Sequence, residues 1–283
     1  MAKGISLHIG VNRVDRKHYN GWSGPLTACE ADAEDMQQIG EAKGYETRSL
    51  LTEKATRSAV IAGIEDAASR LTPGDIFFLS YSGHGGQVPD ISGDEENDLE
   101  DETWCLYDGQ LIDDELGELW ARFAEEVRIL VLLDSCHSGT AVKKFEYDHM
   151  VERGVIQRPV SGVEGNEAPV FRVMPDEVAL RTYRGNRDFY REIAKRLPDT
   201  PSEINATVRL ISGCQDNQLS IDGRFNGRFT GTLLRVWNDG AFSGNYREFH
   251  SHILRRMPST QSPNHYVIGK PNPAFDEQRP FEI

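Results

Sequence analysis

A histidine and a cysteine stand at the ends of two apolar runs. IFFLSYSGH delivers His84, and VRILVLLDSC delivers Cys136. A thiol with an ordinary pKa of about 8.5 is mostly protonated at neutral pH and becomes a nucleophile beside a base or a positive charge. An imidazole within reach takes that proton and later returns it to a leaving amine. Gly85 and Gly86 follow His84 directly and let backbone approach a substrate. The amides of Gly85 and Cys136 are the expected oxyanion donors. A lone cysteine at a strand end is usually a buried thiol, and a lone histidine is usually structural. Two together, each flanked by Gly and Ser, argue for chemistry. His137 adjoins Cys136, but neighbours on a strand end point apart, so His84 is the expected base.

Such a pair meets only if its two strands are parallel neighbours. Open α/β sheets gather ligands at the carboxyl ends of their strands. Ile5–Val11 reads as a first buried strand. A helix is expected from about Pro25 to Lys43, with Pro at its start and Gly44 past its end. Tyr45–Leu51 reads as a strand, Thr56–Leu71 as a helix and Ile76–Tyr81 as a buried strand. Trp104–Tyr107 reads as a short strand and Asp113–Phe123 as a helix. The run Val127–Leu133 is continuously apolar, as a central parallel strand requires. Residues 140–202 show no clear periodicity before about 186. After them come a strand at Thr207–Ser212, helices at Phe229–Asp239 and Tyr246–Met257, and a short strand at Tyr266–Ile268. The alternation predicts an α/β fold with a mostly parallel central sheet and helices on both faces.

The 283 residues suffice for one large domain, with 38% hydrophobic and 27% charged residues. No run of 18 apolar residues occurs, and MAKGISLHIGV lacks a signal-peptide pattern, so a cytoplasmic location is expected. The 4 cysteines are widely and irregularly spaced with no CxxC pair, which disfavours a zinc site or disulfide scaffold. A formal net charge of −14 argues against nucleic acid and anionic membranes. It suits a cationic peptide or divalent cations, although solubility alone would also account for it.

SGHGGQ followed by DSCHSG resembles the metacaspase family, called orthocaspases in prokaryotes, of the caspase-like peptidase clan. His84 precedes Cys136 by 52 residues, against roughly 50 in caspases. LTACEADA, DETWCLYD, LIDDEL and LISGCQDNQLS extend the resemblance over most of the chain. It implies a single caspase-like domain, with residues 1–140 like a large subunit, 141–202 a linker and 203–283 like a small subunit. It also implies a cysteine endopeptidase, typically monomeric.

Ser82 shares a face with His84, Asp134 with Cys136, and Cys29 with Asp32 on the first helix. By resemblance these four positions form the primary specificity pocket. Two carboxylates there would select Arg, or Lys, before the scissile bond. Asp134 alone could instead cap a turn, and Asp32 alone could be a solvated helix residue. Asp216 is a further candidate contact to substrate.

From Asp94 to Glu102, seven of nine residues are acidic, and Asp113–Asp114 forms a second pair. A solvated acidic loop would look the same. The resemblance implies activating calcium, with Asp101, Asp113 and Asp114 as ligands and Asp98 and Glu102 behind them. Residues 140–202 carry Lys143, Lys144, Arg153, Arg158, Arg181 and Arg184 as candidate self-cleavage points. Two other classes remain open: a thiol acyl hydrolase on a non-peptide substrate, and a non-catalytic caspase-like scaffold.

Overall fold

The computed structural model describes residues 2–89, 100–136, 170–215 and 218–283. Six strands form the central sheet: β1 Gly4–Gly10, β2 Glu46–Leu51, β3 Ile76–Ser82, β7 Arg128–Asp134, β8 Thr207–Ser212 and β9 Asn264–Gly269. Their order is β2-β1-β3-β7-β8-β9, all parallel except β9, which runs antiparallel to β8. β3 is buried along its whole length and β7 along all but Arg128, which is why both read as unbroken apolar runs.

Eight α-helices stand among the described residues: α1 Cys29–Lys43, α2 Arg57–Arg70, α3 Asp113–Trp120, α4 Asp176–Gly185, α5 Arg187–Ala194, α6 Arg228–Trp237, α7 Tyr246–Leu254 and α8 Pro273–Glu277. α2 and α3 cover one sheet face, packing Val60, Ile64 and Leu119 on Leu7, Phe77 and Val131. α1, α6 and α7 cover the other, packing Met36, Leu233 and Phe249 on Phe78, Leu130 and Ile211. Helices thus lie on both faces of a mostly parallel sheet, the expected caspase-like class.

The expected boundaries shift where local chemistry sets them. α1 begins at Cys29 rather than Pro25, because the Asn12 side chain accepts from the Cys29 amide and draws the first turn there. It ends at Lys43 and is capped by Gly44, in the left-handed region at φ 86. The Thr56 side chain caps α2 by accepting from the Ala59 amide.

Two features go beyond the sequence reading. β4 Gly85–Pro89, β5 Glu100–Leu106 and β6 Gly109–Ile112 form a second, antiparallel sheet directly after His84. Residues 176–194, inside the span read as linker, form helices α4 and α5. Val88, Ile112, Tyr190 and Ile193 make the apolar contact that seats them on the small sheet. The Tyr190 hydroxyl accepts from Gln110 Nε2 at 2.6 Å and meets His18 Nε2 at 3.1 Å.

Candidate active site

β3 and β7 are hydrogen-bonded neighbours with Ser82 opposite Asp134. His84 and Cys136 follow two residues later on each strand, so the two emerge together at the carboxyl edge of the sheet. Both are buried. Gly85 begins β4 so close to Cys136 that a Cβ on it would lie 1.5 Å from the Cys136 carbonyl oxygen, which only glycine permits.

His84 Nε2 lies 3.0 Å from the Gly24 carbonyl, which therefore receives its proton. That fixes the tautomer and leaves Nδ1, which has no hydrogen-bond partner among the described residues, for proton transfer. The Trp22 ring packs against the imidazole with centroids 4.8 Å apart. Burial pushes the His84 pKa down to about 4; the Gly24 carbonyl opposes this and the charge of Arg172 adds to it. The ring is neutral at pH 7 and can accept a proton. The Ser220 amide donates to Cys136 Sγ at 2.7 Å, an interaction that favours thiolate over thiol.

The chain's own residues 170–174 occupy the cleft. The Arg172 carbonyl oxygen accepts from the Gly85 and Cys136 amides, both at 3.1 Å. These are the two amides expected to hold an oxyanion. The Arg172 amide donates to the Ser220 carbonyl at 3.0 Å, and the Asp222 amide to the Val170 carbonyl at 2.8 Å. Phe171 bridges Ile221 antiparallel and Val173 bridges Gly85 in parallel. The segment is therefore an added strand between residues 220–222 and the start of β4, the pattern by which peptides join an open sheet edge.

The Arg172 side chain fills an acidic pocket and is fully buried. Its Nη2 reaches Asp32 Oδ2 at 2.7 Å and Asp222 Oδ1 at 2.9 Å. Its Nη1 reaches Ser82 Oγ at 2.7 Å and Asp134 Oδ2 at 3.1 Å. Burial opposes the guanidinium charge, but Asp134, Asp32 and Asp222 outweigh it and hold the pKa above its ordinary value. Burial pushes the Asp32 carboxyl up; Arg172 pulls it down and Asp134 pushes it up again. Asp32 Oδ1 accepts from the Gly227 amide at 3.0 Å, and Asp134 Oδ2 from the Thr230 amide at 3.0 Å. Cys29 is a buried wall nearby whose thiol burial pushes up to about 12, far from a nucleophile.

The structure thus brings Cys29, Asp32, Ser82 and Asp134 together around one guanidinium, with His84, Gly85 and Cys136 beside its carbonyl. Asp216 lies outside the described residues. The carboxylate found in its region is Asp222, which also accepts from the Thr27 amide and hydroxyl at 2.8 and 2.9 Å. Arg172 was absent from the candidate cleavage points. Lys143, Lys144, Arg153 and Arg158 lie outside the described residues. Arg181 and Arg184 sit within α4, whose helical backbone does not present an extended strand to a cleft.

Asp101 is buried on β5 beside Glu102, and Asp113 and Asp114 open α3. Thr103 pairs with Ile112, so these acids share one end of the small sheet. Among the described residues, no group of three or more potential ligands could hold a metal ion. Asp98 lies outside them.

The sequence profile described as Caspase domain matches residues 10–280. The chain belongs to the caspase-domain family. It is 28% identical over 260 residues to Metacaspase-1 of Saccharomyces cerevisiae strain S288c, covering 82% of this chain and 57% of that protein. It is 29% identical over 266 residues to Metacaspase-1 of Schizosaccharomyces pombe, covering 84% of this chain and 60% of that protein. The chain spans a little over half the length of these metacaspases. The crystal structure of protein GSU0716 from Geobacter sulfurreducens matches with a TM-score of 0.87 and 53% identity, over 99% of this chain and 98% of that one. Caspase-1 from Spodoptera frugiperda matches with a TM-score of 0.53 and 8% identity over 95% of this chain and 86% of that one, a likeness of fold alone. Fold and family are those of cysteine-type peptidases.

Proposed function

We propose that this caspase-domain protein is a cysteine endopeptidase that cuts after Arg, with Lys as the weaker alternative, and that it processes itself. The observation that carries the reading is Arg172 seated among Asp32, Asp134 and Asp222 with its carbonyl at the Gly85 and Cys136 amides. A guanidinium fork that meets carboxylates on two edges is matched far better by Arg than by a single ammonium.

In this reading Cys136 Sγ attacks the carbonyl carbon after Arg. The developing oxyanion stays on the two amides, each such donor being worth roughly 100- to 1,000-fold in rate. The carbon–nitrogen bond breaks, and His84 delivers to the departing amine the proton taken from the thiol. Water, deprotonated by His84, then hydrolyses the thioester and restores the thiol.

The test uses a Cys-directed acyloxymethyl ketone probe ending in Arg, and fluorogenic peptides ending in Arg, Lys and Asp. Labelling lost in Cys136→Ala and fastest turnover of the Arg peptide support the reading. A preference for the Asp peptide would sink the specificity. No labelling and no turnover would favour the scaffold or the non-peptide hydrolase.

Calcium activation is proposed from the acidic stretch of the sequence, with Asp98, Asp101, Glu102, Asp113 and Asp114 as its residues. Turnover unchanged on titrating calcium against a chelator would remove it. The protein is also proposed to act as a monomer. A dimer in sedimentation would overturn this, and would be expected to pair through edge strand β9, where Tyr266, Val267 and Ile268 are exposed.

A further inference from the structure

His84 is held by one short stretch of chain. Its Nε2 meets the Gly24 carbonyl at 3.0 Å, and its ring lies on Trp22. Its Nδ1 has no hydrogen-bond partner among the described residues, so no third side chain steadies the ring from that side. Trp22 and Gly24 belong to residues 11–28, which form no helix or strand. Asn20, Gly21 and Gly24 within that stretch all have positive φ, at 50, 90 and 47. Backbone of this kind persists only where its surroundings fix it.

Part of that support comes from the small sheet's turn. The Asp15 amide donates to the Tyr107 carbonyl at 2.8 Å, and the Tyr19 hydroxyl to the Leu106 carbonyl at 2.7 Å. A second part comes from α5 and its junction with α4. Asn186 Nδ2 donates to the His18 carbonyl at 2.8 Å. Tyr190 is fully buried, and Gln110 Nε2 donates to its hydroxyl oxygen at 2.6 Å. Thr103 Oγ1 donates to Gln110 Oε1 at 2.7 Å, which sets the orientation of that amide. The Tyr190 hydroxyl therefore keeps its one proton for His18 Nε2, at 3.1 Å. Burial lowers the His18 pKa to about 4, so its ring is neutral at pH 7 and can accept. From there a ladder of rings leads to the dyad. Centroids lie 6.1 Å apart from Tyr190 to His18, 5.1 Å from His18 to Tyr19, 6.0 Å from Tyr19 to Trp22 and 4.8 Å from Trp22 to His84.

We propose that Tyr190 and His18 are positioning residues for His84, acting through Tyr19, Trp22 and the Gly24 carbonyl. This rests on the reading of His84 and Cys136 as a peptidase dyad and adds what holds its base in place. Where a third side chain orients the base of a nucleophile–base pair, it fixes the tautomer and the ring together. Here the Gly24 carbonyl takes that place, and a backbone carbonyl is only as fixed as its loop. With the Tyr190–His18 hydrogen bond intact, the loop keeps Nε2 protonated and Nδ1 available. Without it, the Gly24 carbonyl moves off and the ring turns or takes the other tautomer. The acids of the specificity pocket stand on other elements, at Asp32, Asp134 and Asp222. Proton transfer should therefore suffer, and substrate affinity should not.

Full chains carrying Arg172→Ala are assayed on a fluorogenic Arg peptide, so that the chain's own strand does not compete. In that background Tyr190→Phe and His18→Ala are expected to lower kcat about 3- to 10-fold, the scale of one lost hydrogen bond, while KM moves by less than about 2-fold. His18→Gln, whose amide can still accept near the Nε2 position, is expected to recover most of the loss. Added to His84→Ala, Tyr190→Phe should change the residual rate by less than about 1.5-fold, because no base remains to be positioned. A purely structural role would lower the rate alike in both backgrounds. Histidine nitrogen NMR of Cys136→Ala, with and without Tyr190→Phe, reads His84 without turnover, and the spectrum of His84→Gln assigns its signals. A single Nε2–H tautomer is expected with Tyr190 in place, and a mixture of tautomers in Tyr190→Phe. Unchanged kcat, a loss carried by KM, an equal loss in the His84→Ala background or a single tautomer in both chains overturns the positioning role, while turnover of the Arg peptide keeps the peptidase reading. If no chain turns over the Arg peptide yet Tyr190→Phe mixes the tautomers, the peptidase reading falls and the positioning of His84 stands.

Discussion

Asp222→Asn separates a pocket that reads guanidinium geometry from one that merely attracts positive charge. Asp222 Oδ1 accepts from Arg172 Nη2 at 2.9 Å and from Nε at 3.3 Å, while Oδ2 accepts from the Thr27 amide and hydroxyl. Both oxygens are needed as acceptors. An amide offers one, so Asn must leave either the guanidinium or Thr27 facing an NH2 group. A unit charge pair at this distance is worth at most about 6 kcal/mol at an effective dielectric of 20. Three carboxylates around one cation also repel each other, so removing one returns part of that sum. Hydrogen bonds to a charged group, worth about 1.5–3 kcal/mol, set the better scale, which is roughly a 10- to 150-fold loss in kcat/KM. The loss should be smaller for a Lys peptide, because an ammonium is a single point that cannot span both carboxylate edges. Both peptides are assayed in the Arg172→Ala background, so that the chain's own strand does not compete. Equal losses for Arg and Lys, or a loss below about 3-fold for Arg, would refute the reasoning.

Gly24 has φ +47, and a Cβ there would fall 2.5 Å from the Trp22 ring and 2.8 Å from His84 Nε2. Gly24→Ala should displace the imidazole and cut kcat by about 10-fold or more, the scale of a lost general base, with a smaller change in KM; unchanged kcat would show that the Gly24 carbonyl does not orient His84. A Cβ on Gly227 would lie 2.3 Å from Asp134 Oδ2 and 2.5 Å from Arg172 Nη1. Gly227→Ala should therefore abolish probe labelling by an Arg-ended ligand while Cys136 still reacts with iodoacetamide, and equal labelling of wild type and variant by the Arg probe would contradict the pocket assignment. Burial lowers the pKa of His84 to about 4, and that of His8 to about 3. A histidine whose folded pKa lies below its unfolded value of 6.5 costs stability as pH falls from 6.5 towards the folded value, at about 1.4 kcal/mol per unit. Urea midpoints should drop steadily between pH 6.5 and 4, and a midpoint that stays level across that range would show that these rings ionise freely when folded.

The central sheet was legible because β3 and β7 are buried on both faces and so are continuously apolar in sequence. That His84 and Cys136 would meet at one sheet edge was legible because each follows such a run directly. The small sheet was not, because Gly85–Pro89 and Gly109–Ile112 are short and carry glycines whose reason is close approach, not propensity. Asp222 was missed because it meets Arg172, 50 residues away, and Thr27, 195 residues away, and no local spacing encodes either contact. Arg172 was missed for a different reason. A search for basic residues in a linker treats them as exposed, whereas this one is buried by three acids drawn from α1, β7 and the segment before α6. α4 and α5 escaped notice because their apolar positions are few and serve the small sheet rather than the main core.

The same strand register ties the pocket to the chemistry. Ser82 and Asp134 are paired across β3 and β7, and His84 and Cys136 each lie two residues on. A one-residue slip between the strands would turn pocket and dyad apart at once, so the fold specifies both or neither. A bound residue meets both halves: its side chain enters the pocket while its carbonyl rests on the Gly85 and Cys136 amides. A side chain that misfits the carboxylates must therefore pull its own carbonyl off those amides. Specificity should then appear in kcat as well as KM, because the pocket's binding energy is used to hold the reacting carbon in place. A Gln peptide, close in size to Lys but neutral, is the discriminating substrate. It should lose kcat by more than its KM rises, and a loss confined to KM would mean that the pocket and the dyad act independently.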